Sequence, residues 1–147
     1  MPIIPIDVAM EHVYADSDDQ PQVERKLASA IETAEQFMGR RIYENDDTLA
    51  AAQVTATAQL QDVVLPVANH VFSDDDLSQV LNDVSRRRKY ELVMQIRGVV
   101  INPAIEIGIL LIFGDLYKNR ENSVDGGVSE LPMAALHHLE PFRFFGI

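Results

Sequence analysis

The sequence predicts a mainly α-helical chain, a small helical bundle around one buried core helix. Three observations carry this. Apolar residues between Gln20 and Met38 recur at spacings of three and four and stop at a glycine. Asn102-Pro103 sets a helix-capping side chain before a proline at the first helical position, and a strongly apolar run follows. At 147 residues with 47% apolar content, the chain is long enough to bury a core without disulfides or metal, and a single domain is the expectation.

Taken in order, residues Pro5 to Val13 form a short helix with Ile6, Val8, Ala9 and Val13 turned inward, followed by the polar turn Ala15 to Asp19. Asp18 or Asp19 is placed to cap the next helix, Gln20 to Met38. That helix buries Val23, Leu27, Ala30, Ile31, Ala34, Phe37 and Met38 and carries Glu24, Arg25, Lys26, Glu32 and Glu35 on its other side. Gly39 follows at the position where a left-handed backbone costs least. Tyr43 to Thr48 read as a loop.

Leu49 to Leu65 admits two readings. Its Ala and Gln favour an extra helix, whereas the β-branched residues of Gln53 to Thr57 and Asp62 to Leu65 admit a short β-hairpin; Pro66 ends either. Ser73 to Asp76 supplies a cap and first-turn carboxylates for a helix from about Leu77 to Arg97. The core helix runs from Pro103 to about Asn119, with Ile, Leu and Phe around nearly its whole circumference, so contact from several sides is expected. Asn122 to Ser129 is a turn. Pro132 opens a last short helix through Leu139, which Pro141 stops.

Composition excludes several functions. The absence of cysteine removes disulfides, thiolate metal sites and cysteine nucleophiles. Ile107 to Gly114 is flanked by Glu106 and Asp115 and falls far short of the roughly 20 residues of a membrane span. The N-terminus has neither the basic region nor the cleavage site of a signal peptide, so export by that route is not expected. A net charge of −11 argues against wrapping nucleic acid, which needs clustered Lys and Arg. The charge is uneven: residues 1–48 hold 4 basic and 11 acidic side chains, residues 49–102 hold 5 and 6, and residues 103–147 hold 3 and 6.

No motif of a nucleophile elbow or phosphate loop is present, and an enzyme is not expected. Neither is a cofactor or a metal. His137 and His138 are adjacent and point about 100° apart on a helix, unlike the spacing that lets two imidazoles share a metal. Asp16 to Asp19 begins like a calcium loop, but Leu27 stands where a bidentate Glu is needed. Tyr117, Asn119, Arg120 and Glu121 are read as a structural or interface group at a helix end.

Arg86, Arg87, Arg88 and Lys89 have three readings: a solvated helix face, an intersubunit partner for the acidic first third, or a DNA contact. Four consecutive residues spread around a helix and form no single stripe. The tail after Pro141 places Phe142, Phe144, Phe145 and Ile147 around Arg143. It either folds back into its own core or docks on a neighbouring subunit or partner, where aromatic and Arg side chains are common anchors.

Two stretches resemble one family, the small helical head-tail connector (adaptor) proteins that bind beneath the portal of long-tailed bacteriophages and prophages. Ile6 to Asp19 and then Leu27 to Arg41, closing in Gly-Arg-Arg, resemble the family's short helix, acidic turn and long helix. Ala104 to Glu121, with its ending Tyr-x-Asn-Arg-Glu, then Leu131-Pro132 and Leu136 to Arg143, resemble its core helix, its Leu-Pro and its terminal Leu-x-Pro-Phe-Arg. The family-like parts are thus about 1–42 and 102–147, and about 43–101 is a divergent insertion.

The resemblance implies a structural virion protein: a cyclic homo-oligomer of about twelve subunits with head-to-tail interfaces, bound to the portal protein and to a tail-completion or stopper protein. DNA would be passing cargo only, no membrane would be contacted, and the sites of action would be the virion neck and, during assembly, the host bacterial cytoplasm. The reading from another class is a small helical DNA-packaging accessory or regulatory binding protein. It would need a basic recognition helix, and the chain offers only the one basic run.

Overall fold

The computed structural model describes residues 3–64, 75–119 and 130–145. Among these the chain is mainly helical, with α1 (Ile6–Val13), α2 (Gln20–Met38), α3 (Asp46–Val64), α4 (Asp75–Ile96), α5 (Pro103–Lys118) and α6 (Met133–Leu139), and two two-residue strands, β1 (Ile42–Tyr43) and β2 (Val99–Val100). The chain falls into two compact units, residues 1–39 with 101–147, and residues 40–100.

In the first unit α5 packs against α1, α2 and α6. It starts where Asn102, in extended backbone, accepts the Ile105 N–H at 3.0 Å, so one of the orphan donors of the first turn is satisfied and Pro103 wastes none. Ile105, Ile109, Ile112 and Phe113 are buried, each worth roughly 1.5–3 kcal/mol of transfer free energy. Burial does not extend all round: Ile107 is exposed and Leu111 and Leu116 are half-buried, because three helices cover only part of a cylinder. Close approach of α6 is possible because Gly108 has no side chain; a Cβ there would lie 2.8 Å from Leu139 Cγ.

Facing α5, α2 buries Val23, Leu27, Ala30, Ala34, Glu35 and Met38 and ends at Gly39 with φ 66°, the left-handed residue expected there. Neither Asp18 nor Asp19 caps it. Ser17–Asp19 form a 3-10 turn that leaves Asp19 at φ −84°, ψ −7°, already helical, and its carboxylate accepts the Tyr117 hydroxyl at 3.1 Å instead.

The second unit is a helical hairpin, α3 against α4, closed by a strand pair. β1 and β2 are parallel, with Ile42 opposite Val99 and Tyr43 opposite Val100. The two helices form the crossover that a parallel pair requires. Of the two readings of the middle stretch, the helix is the one adopted, and residues 53–57 and 62–64 are not a hairpin. Thr55 and Thr57 fit because their hydroxyls donate to the carbonyls of Ala51 at 3.0 Å and Gln53 at 2.7 Å.

The expected loop Tyr43 to Thr48 contains the end of β1 and the start of α3. Asn45 accepts the Thr48 N–H at 2.9 Å and Thr48 Oγ1 accepts the Asn45 N–H at 3.3 Å, a reciprocal cap. Ser73 and Pro66 lie outside the described residues, as does Asn122 to Ser129.

Candidate functional site

Three groups of side chains were singled out by sequence, and each sits differently. The first is the end of α5. The Tyr117 hydroxyl reaches Asp19, and its ring lies 6.0 Å from that of Phe113, tilted by 46°. Lys26 donates to the Leu116 carbonyl, so a cation meets the negative end of the helix dipole. Asn119 donates to Asp115 at 2.9 Å. These contacts fasten the α5 terminus to the 3-10 turn and α2, which is structural work. Arg120 and Glu121 lie outside the described residues.

The second group is the tail. Glu140–Phe142 form a 3-10 turn, after which the chain is extended. Its backbone is anchored, since the Phe144 N–H donates to the Met38 carbonyl at 2.8 Å. Arg143 lies 4.8 Å from the Phe37 ring centroid and 5.0 Å from that of Phe145, and reaches Glu140 at 3.8 Å. Phe142 is half-buried, whereas Phe144 is 43% and Phe145 70% exposed. Main chain and aromatic faces thus part company: the tail is held to its own unit and still presents apolar rings to solvent.

The third group is the basic run on α4. Arg86, Arg87 and Arg88 are exposed, and Arg86 approaches Asp83 at 4.0 Å. Lys89 is half-buried, in helical register with Ser85 and the buried Leu92. The run therefore divides by face. Val80 and Val84, each 58% exposed, precede Arg87 and Arg88 at the spacing i, i+4, i+7, i+8, so one face of α4 carries two valines and two guanidinium groups.

Sequence reasoning missed three features. Tyr14 is 93% exposed and left-handed, with φ 53°. Arg41 brings two nitrogens to one oxygen of Glu91, Nε at 2.8 Å and a terminal nitrogen at 2.6 Å from Oε1. Arg40 donates to the carbonyls of Arg97 at 2.5 Å and Gly98 at 3.3 Å. The Gly-Arg-Arg motif was visible, but its partners lie more than forty residues away by the structure's own pairing of β1 with β2, and no local signal names them.

Among the described residues no group of three or more His, Asp or Glu side chains is arranged to hold a metal ion, and no helix is long and apolar enough to cross a membrane. His137 is exposed and His138 half-buried beside Gly108. Comparison with protein-family models, with curated proteins and with solved structures finds no match to this chain.

Proposed function

We propose that this chain is a head-tail connector subunit of a long-tailed phage or prophage, assembling as a cyclic homo-oligomer of about twelve copies through heterologous contacts. In this reading it binds beneath the portal protein, extends the DNA channel and receives a tail-completion or stopper protein. Its place is the virion neck, after assembly in the host cytoplasm, and it is a structural protein and not an enzyme. The observation that supports the reading is how the resembling stretches sort. Most of Ile6 to Arg41 and all of Ala104 to Arg143 outside 120–129, far apart in sequence, belong to one compact unit around α5; Arg40 and Arg41, which close the first stretch, belong to the other unit with nearly all of the divergent 43–101.

The test is assembly. The full chain, alone at high concentration and co-expressed with a cognate portal protein, is examined by light scattering and electron microscopy. The expected result is a closed ring, free or seated on the portal. A strict monomer that does not bind the portal overturns the proposal.

A further inference from the structure

Tyr14 is the anomaly on the surface of the first unit. It ends α1 in a Schellman-type cap, in which its own N–H donates to the Glu11 carbonyl at 3.2 Å and the Ala15 N–H to the Met10 carbonyl at 3.0 Å. Such a cap calls for glycine, because a side chain at positive φ crowds the neighbouring backbone. A bulky aromatic there is strained, and at 93% exposure it recovers nothing from burial. Within a few residues stand Glu11, Asp16 and Asp18, all exposed. The result is an aromatic knob with an acidic rim.

The α4 face described above has the opposite character, two exposed valines beside two arginines. The charge of the chain is divided in the same sense. Residues 1–39 and 101–147 hold 14 acidic against 5 basic side chains, while residues 40–100 hold 9 acidic against 7 basic, so the second unit is the less negative of the two and carries the basic run of α4. Knob and face are each incomplete alone. They differ from one another and stand on different units of one chain, which is the condition for a head-to-tail contact between copies.

We propose that Tyr14 of one copy docks on the α4 face of the next, its ring between Val80 and Val84, with Glu11 and Asp18 meeting Arg87 and Arg88. This rests on the ring reading and names its interface. The aromatic ring supplies the anchor, the role in which Tyr is enriched at interfaces. The charge pairs fix orientation and exclude the reverse arrangement, in which like surfaces would meet.

The chain has no cysteine, so crosslinking can be directed. Full-length Asp18→Cys and Arg88→Cys proteins, both keeping Tyr14, Val80 and Val84 and one carrying a size tag, are mixed and mildly oxidised, in solution or on the portal. The expected product is a mixed disulfide dimer in several-fold excess over either same-variant dimer. Tyr14→Gly separates interface from fold: relief of the left-handed residue keeps or raises the melting temperature, while self-association weakens at least tenfold. Arg87→Glu with Arg88→Glu weakens association likewise, and Glu11→Lys with Asp18→Lys in the neighbouring copy restores it. If the parent forms rings but the mixed disulfide is absent, or Tyr14→Gly associates as tightly as the parent, this contact is overturned and the ring stands. If the parent neither self-associates nor binds the portal, the ring reading fails and takes the contact with it.

Discussion

Three glycines show how a single missing Cβ decides packing. At Gly98 a Cβ would meet Tyr43 at 2.5 Å, Leu49 at 2.6 Å and the Gln95 carbonyl at 2.9 Å. Backbone cannot yield as a side-chain tip does, so Gly98→Ala is expected to destabilise the second unit by about 3 kcal/mol or more, read as loss of the cooperative chemical-denaturation midpoint. Gly108→Ala presses on Leu139 at 2.8 Å, and this overpacking of about 1–3 kcal/mol is partly offset by roughly 1 kcal/mol of helix propensity. Gly114→Ala meets only the His12 ring, at 3.3 Å. There the propensity gain is expected to win, and the melting temperature holds or rises. The same measurement on all three variants checks the ranking.

Helix termini explain which element boundaries were legible. Asn102-Pro103 and Gly39 act on backbone within four residues of themselves, so α5 and the end of α2 stand where the sequence puts them. Asn102→Ala is expected to cost about 0.5–2 kcal/mol, measured by thermal or denaturant unfolding. Tyr117→Phe should cost less, about 0.5–1.5 kcal/mol for one hydrogen bond to Asp19, since the ring keeps its place against Phe113. Asp19 was misread because its partner lies 98 residues away, and nothing within the turn reports that.

The tail poses a related question. Its readings as core or as docking segment both remain partly embodied, with the backbone held at Met38 and the rings of Phe144 and Phe145 outward. Deleting residues 144–147 removes the Phe144 N–H bond to the Met38 carbonyl and the Phe145 ring beside Arg143, two residues whose side chains are exposed. Stability is expected to fall by only about 1 kcal/mol while ring assembly or portal binding is lost. A large drop in the monomer's melting temperature would place the tail in the core.

Taken as a whole the chain carries nearly twice as many acidic as basic side chains, 23 against 12. In the proposed ring, duplex DNA passing the channel would be repelled at short range, within a screening length of about 8 Å at physiological salt. A gel shift at about 150 mM salt is therefore expected to show no tight duplex complex; a tight one would favour the DNA-packaging accessory reading. Self-association through charged faces is expected to weaken as salt rises above that value, followed by sedimentation velocity, since screening reduces exposed pairs first.

What the sequence determined by itself is the set of locally encoded features: the helical class, the buried stripe of α2, the capped start of α5 and the segregation of charge. Each depends on residues within one or two turns of one another. In the middle stretch Ala and Gln favoured a helix, but β-branching kept a hairpin open as the lesser reading. Only the tertiary structure decided that 46–64 is helical, packed on α4 and tied to it by Gln53 donating to the Ile96 carbonyl at 2.8 Å. It alone paired Ile42 with Val99, joined Arg41 to Glu91, and left Tyr14 and the Val80–Val84 face in solvent. Periodicity says which side of a helix is apolar; whether that side is covered depends on which other elements reach it, and that is fixed by packing across long stretches of chain.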